Sequence, residues 1–291
     1  MQRLDQFRFD NSFAGLLADL YSRVLPTPLA GPTRLAAVSA DACALIDLDL
    51  CLVHGDEEVS RERIETGASL TRLAPSHLRF GNFEVLFYRG RFDLLRRLGR
   101  YVIEHHYPEL VESPTPLLGL PRTVFRRTAR LTARWQLVGF AHRVMNSDNM
   151  SLLGLTIDYG PFGLLDAYDP KLVCNHSDRW GRYAFERQPA IAKWNLGCLA
   201  HAMLPRLDPN DGEHAAELAR AVLGGFDDAF ERFDRSGLNA KLGLAEERSG
   251  DGELNRLLAV LSRPYDEQPE CAACAAEPPD WGRRLAVDCS S

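Results

Sequence analysis

The segment M-N-S-D-N-M-S-L-L-G-L-T-I-D-Y-G-P, residues 145–161, holds the side chains best suited to chemistry: Asp148 and Asn149, adjacent, and Asp158 beyond a short apolar stretch. An amide oxygen and a carboxylate oxygen suit a hard cation such as Mg²⁺, which takes one or two protein oxygens and completes its shell with phosphates and water. A further carboxylate that stays off the metal can act as base toward an incoming hydroxyl. Together these are the parts of a phosphoryl- or nucleotidyl-transfer centre, where catalysis is mostly positioning and charge neutralisation. Asp158-Tyr-Gly echoes the Asp-Phe-Gly of protein kinases, whereas adjacent Asp148 and Asn149 depart from the wider spacing of a kinase catalytic loop. The same residues also read as a polar loop, because Asn and Asp cap helices and form turns; on spacing alone that plainer reading is the commoner one.

For the three polar groups to converge, the chain between them must fold back. Two apolar runs flank Gly154, a natural turn position, and this predicts a tight hairpin with Asp148, Asn149 and Asp158 at its open end. Around it the sequence is mixed in the first half and mainly helical in the second. Residues 11–24 read as a helix stopped by L-P-T-P and A-G-P; 34–39 and 67–73 are strand candidates, and 56–66 are charged and expected to be exposed. Apolar residues at helical spacing predict helices over 92–106 and 122–145. Pro189 opens a helix running to Leu204, and further helices are expected over 212–233 and 253–261.

The chain has 291 residues, 45% apolar and 25% charged, which is ordinary globular composition and enough to bury a sizeable core. A net charge of -6 gives no electrostatic case for nucleic acid or an anionic membrane as partner. The polar start M-Q-R-L-D-Q-F-R-F-D does not resemble a signal peptide, and no apolar run reaches membrane-spanning length, so a cytoplasmic, monomeric protein is expected. The arginines from Arg122 to Arg134 fall at helical spacing and read as a solvated helix face. Seven scattered cysteines are not a disulfide framework. Cys271 and Cys274 form C-A-A-C, but no second ligand pair stands beside them, which argues against zinc; Cys43, Cys51 and Cys198 read as small packing residues. His105 and His106 end a helix and point to different faces, so they would not share a metal.

Several longer segments, in order, carry a family resemblance: F-D-N-S-F, E-T-G-A-S-L-T-R-L-A-P-S-H-L-R-F-G-N-F-E, Y-V-I-E-H-H-Y-P-E-L, L-V-G-F-A-H-R-V-M-N-S-D-N-M, T-I-D-Y-G-P-F-G-L-L-D-A-Y-D-P, V-C-N-H-S-D-R-W-G-R-Y and R-P-Y-D-E-Q-P-E. In these the chain resembles the selenoprotein O family, also called YdiU or UPF0061. The resemblance implies an α+β, protein-kinase-like fold and a pseudokinase that binds ATP in reversed orientation. It further implies transfer of AMP, or in some members UMP, to Ser, Thr or Tyr hydroxyls of proteins, with Mg²⁺ or Mn²⁺. On that basis Asp148 is the expected proton acceptor, Asn149 and Asp158 the metal ligands, with Asp158 also approaching the nucleotide, and Arg72 and Arg79 the phosphate-binding pair. Guanidinium forks suit phosphate oxygens and keep their charge. The resemblance also implies a redox pair, Cys174 with Cys289, against the cytosolic default of free thiols.

The chain departs from the family in two places. Between Leu50 and Asp56, and again around 248–253, it passes directly across points where family members carry further sequence, including a glycine-rich loop and a nucleotide-binding lysine; no lysine precedes Lys171. The expected organisation is a reduced N-terminal lobe, residues 1–90, and a helical lobe, residues 91–291. Two activities follow as alternatives: an AMP-transferring enzyme, or a non-catalytic remnant that binds metal or a partner. A kinase that transfers the terminal phosphate is the third.

Overall fold

The structure, a computed structural model, describes residues 34–37, 52–60, 64–70 and 72–243, the last with short interruptions at 73, 161, 176, 208–210 and 242, together with Leu16. The expected helices over 11–24 and 253–261, and Cys43, Cys51, Cys271, Cys274 and Cys289, lie outside the described residues, apart from Leu16, which is helical.

Three strands form an antiparallel sheet of order β1-β2-β3: β1 is Arg34–Ala37, β2 Leu52–Ser60 and β3 Ile64–Leu70. The β2–β3 hairpin runs from Ser60↔Ile64 at its turn to Leu52↔Leu70, with a register shift between His54 and Glu58. The charged run 56–66 therefore lies largely within strands, and the strand expected at 67–73 begins earlier, at Ile64.

The rest is mainly helical, which together with the sheets makes the fold α+β. Helix α1 is Phe80–Tyr88, α2 Phe92–His106, α3 Pro116–Leu137, α4 Gln188–Leu207, α5 Gly212–Gly224 and α6 Phe226–Lys241. Helix α2 has the bounds its apolar spacing predicts. One face buries Leu94, Leu95, Leu98, Val102 and Ile103, each worth about 1.5–3 kcal/mol on removal from water. Helix α3 ends at Leu137, not at 145 as expected, because Gly139 turns the chain at φ 68 and the next residues enter a strand. The expected helix over 212–233 is two helices. Asp211 caps the first, its Oδ1 accepting from the backbone N–H of Glu213 and His214 at 3.0 Å each, and Gly225 separates it from α6. Helices α1, α3 and α5 pack on α4, and α3 also packs on α6, around a core that includes Phe80, Phe83, Leu86, Val124, Leu196, Leu199 and Met203.

A second, two-stranded sheet closes the segment that carries the acids. Strand β4, Phe140–Ala141, pairs antiparallel with β5, Gly163–Leu164, in the register Phe140↔Leu164 and Ala141↔Gly163. Among the described residues no helix is long and apolar enough to cross a membrane.

Candidate active site

The loop between β4 and β5 is built from short, separately anchored pieces. Ser147–Asn149 form a 3₁₀ turn, with Asn149 N–H donating to the Asn146 carbonyl at 3.0 Å. Met150–Leu152 then run extended, but they do not pair with the residues after Gly154. They pair with Leu78–Phe80 instead: Phe80 N–H donates to Met150 O and Leu152 N–H to Leu78 O, both at 3.0 Å, around an antiparallel Arg79↔Ser151 bridge. The expected hairpin is thus replaced by a longer-range pairing. Gly154 does make a turn, closed by its N–H to Ser151 O at 3.1 Å with φ 65, and a Cβ there would meet the Arg127 backbone of α3 at 2.9 Å.

This pairing sets Arg79 beside the 3₁₀ turn. Arg79 is also the residue before α1, and its N–H is satisfied by Asn82 Oδ1 at 2.8 Å. Asp148 lies over the first turn of α1: a Cβ at Gly81 would collide with its Oδ1 and stand 3.0 Å from its Cγ. The carboxylate so placed faces the positive end of the helix, where an anion is favoured. Arg72 is tied to the other end of the loop, its Nε donating to Thr156 O at 3.0 Å, two residues before Asp158. Thr156 in turn accepts a bond from Trp135 Nε1 at 2.9 Å through its hydroxyl.

Asn149 is 7% exposed, and its Nδ2 donates to Val144 O at 3.0 Å. With its nitrogen committed, its Oδ1 is the atom left for a ligand, as a metal site requires. Asp148 and Asp158 are exposed, and Asp158 adopts a left-handed φ of 58, which turns the chain at Tyr159-Gly160. An oriented amide oxygen and an accessible carboxylate fit a hard cation completed by water and phosphate. No group of three or more His, Cys, Asp or Glu suited to a metal occurs among the described residues.

Four buried side chains hold the loop, and sequence reading did not single them out for this. His142, 2% exposed, uses Nε2 to donate to Ile157 O at 2.8 Å, next to Asp158. Burial pushes its pKa down, outweighing the Ile157 carbonyl and the Asp158 charge, which act the other way; the ring is held neutral. Gln188 bonds both Phe140 and His142, and Asn195 bonds Met145. Tyr107, fully buried, donates its hydroxyl to Leu152 O and lies under the Arg127 guanidinium at 4.4 Å; burial raises its pKa to about 12, so the donor proton is retained. Cys174 is a free, half-buried thiol whose Sγ would stand 3.0 Å from a Cβ at Gly163, against β5. Arg122, Arg126, Arg130 and Arg134 are all exposed, as a solvated face requires.

Known proteins put this chain with the nucleotidyltransferases. A protein nucleotidyltransferase YdiU of Thioalkalivibrio sulfidiphilus is 40% identical over 340 residues, covering 83% of this chain and 69% of the relative. That of Paraburkholderia xenovorans is 50% identical over 218 residues, covering 73% of this chain and 42% of the relative. That of Burkholderia pseudomallei is 38% identical over 350 residues, covering 83% of this chain and 67% of the relative. The family model described as "Protein adenylyltransferase SelO" matches residues 46–267, and the chain belongs to that family. The chain spans about two fifths of the Paraburkholderia relative and about two thirds of the other two. Because 83% of 291 residues is about 242, the 340-residue match to the Thioalkalivibrio protein leaves about 98 of its residues without a counterpart here.

Proposed function

We propose that this chain transfers AMP from ATP to Ser, Thr or Tyr hydroxyls of proteins. It would do so on a kinase-like framework with a reduced N-terminal lobe, residues 1–90, and a helical lobe, residues 91–291. The observation that carries the reading is the pairing of Leu78–Phe80 with Met150–Leu152, which sets Arg79 against the Asp148–Asn149 turn while Arg72 is bonded beside Asp158. Two arginines thus stand in the chain beside an acid, an amide and a second acid, a combination of residue types suited to a metal-bound polyphosphate.

In this mechanism Arg72 and Arg79 bind and orient the phosphates. Asp148 accepts the proton of the substrate hydroxyl as its oxygen bonds to the α-phosphorus. The bond from that phosphorus to the bridging oxygen breaks, and pyrophosphate departs with the electron pair. Mg²⁺ or Mn²⁺, held by Asn149 Oδ1 and Asp158, would supply neutralisation of the phosphate charge.

A second reading has its own support. About 98 residues of the Thioalkalivibrio relative have no counterpart, and the first lysine of this chain is Lys171. On this reading the chain binds metal or a partner without catalysis. Label transfer separates the two: the purified chain is given ATP labelled at the α- or the γ-phosphate, with Asp158→Ala as control. Protein labelled from the α-position alone, and not by the variant, is the expected result. Label from the γ-position would mean a kinase, and no label from a folded chain would favour the non-catalytic reading.

A further inference from the structure

Gln188 is fully buried at the start of α4, yet both ends of its amide are used. Oε1 accepts from His142 N–H at 2.8 Å, and Nε2 donates to Phe140 O at 2.9 Å. The geometry imitates a strand. Gly139 O accepts Leu165 N–H at 2.9 Å, so that carbonyl faces β5; the Phe140 carbonyl and the His142 N–H then point to the opposite edge of β4. Gln188 closes that edge as a neighbouring strand residue would. Asn195 lies two turns along α4, also fully buried, and its Nδ2 donates to Met145 O at 2.8 Å. One face of one helix therefore grips the chain at 140, 142 and 145, immediately before the 3₁₀ turn that carries Asp148 and Asn149. The held His142 passes the constraint on, through its bond to Ile157 O, to the residue before Asp158.

We infer that Gln188 and Asn195 are positioning residues that set the base-bearing turn against the segment carrying Asp158, with Gln188 acting through both ends of its amide. This rests on the transfer reaction proposed above, in which a displaced base costs rate: a shift of about 1 Å can cost about a hundredfold. Ground-state nucleotide binding, which the arginines carry, should change much less.

Gln188→Glu tests the two-ended role. A protonated carboxyl donates and accepts as the amide does; an ionised one only accepts and sets an oxygen against the Phe140 carbonyl. Burial raises the pKa of such a group. His142, whose N–H it meets, has its pKa pushed down by burial, and its chain neighbours Glu186 and Arg187 are exposed. Label transfer is measured at pH 6.5 to 9 for wild type, Gln188→Glu and Gln188→Ala, alongside hydrogen exchange of residues 140–149 and of α2 as a core reference. The expected result is a Gln188→Glu rate near wild type at pH 6.5 that falls at least tenfold relative to wild type by pH 9. The KM for ATP should stay within about twofold, and exchange should rise in 140–149 but not in α2. Gln188→Ala should be slow throughout. A variant-to-wild-type ratio that is flat with pH, or exchange that rises equally in α2, would overturn the inference. If wild type itself transfers no label, the proposed function fails, and the exchange comparison alone still decides the clamp.

Discussion

Gly81 and Asp148 occupy adjoining space so tightly that the carboxylate stands where a side chain at position 81 would be: a Cβ there would collide with Asp148 Oδ1 and approach its Cγ to 3.0 Å. Helix α1 begins at Phe80, so Gly81 sits in its first turn. A glycine in a helix is ordinarily a weakness, costing roughly 0.5–1 kcal/mol against alanine. Here it lets the acid rest on the helix end.

Stability and activity should therefore separate in Gly81→Ala. The obstructing atom is the tip of a side chain that can rotate away, so the helix gains its usual alanine benefit while the carboxylate is evicted. Denaturant unfolding should show stability unchanged or raised by up to about 1 kcal/mol. Label transfer should drop by about two orders of magnitude, the scale expected for a misplaced catalytic group. Full activity in a folded Gly81→Ala would mean that Asp148 does not act from this position.

How much of this was legible beforehand follows from the range of the interactions. Helix α2 was legible because Leu95, Leu98 and Val102 repeat on one face within the element itself. Helix α1 was not: F-G-N-F-E-V-L-F-Y is crowded with aromatics, opens on no Ser, Thr, Asp or Asn cap, and is helical because Phe80, Phe83 and Leu86 are buried in the core beside α4. The side chains read as chemical were legible by type, and the arginines only through the family resemblance. Their arrangement was not. A local hairpin around Gly154 satisfied the sequence pattern, whereas the chain satisfies Met150–Leu152 through Leu78–Phe80, about seventy residues away in sequence. Gln188, Asn195 and Tyr107 were missed for the same reason, since their bonds span 45 to 50 residues.

Acid should weaken the fold through His106. Its Nε2 is buried without a hydrogen-bond partner among the described residues. Burial, and then the nearby His105 and Arg127 charges, hold its pKa below the ordinary 6.5. The unfolded chain, with the ordinary value, binds more protons as pH falls, so stability from this site is fully present above about 6.5 and is lost as pH drops toward the folded value. His106→Phe cannot titrate and keeps a ring against Tyr101, which lies 5.9 Å away centroid to centroid. Urea unfolding at pH 7.5 and 5.5 should show a smaller acid loss in the variant than in wild type. Equal losses would assign the acid limb to other groups.

Arg143 is a second local compromise within the loop. It sits at φ 75, in the left-handed region, and its Nε is buried with no hydrogen-bond partner among the described residues. A left-handed conformation costs a residue with a Cβ about 1–2 kcal/mol. The turn it makes is needed, because it lies between the His142 N–H that meets Gln188 and the Met145 carbonyl that meets Asn195. Glycine adopts this backbone freely but loses about 0.5–1 kcal/mol more entropy on folding than alanine does. Arg143→Gly should thus raise the unfolding free energy, by up to about 1 kcal/mol, with label transfer retained because the turn is preserved. Arg143→Val, branched at Cβ and poorly suited to positive φ, should lower both stability and transfer. A glycine variant less stable than wild type would show that the arginine side chain contributes contacts worth more than the backbone strain it brings.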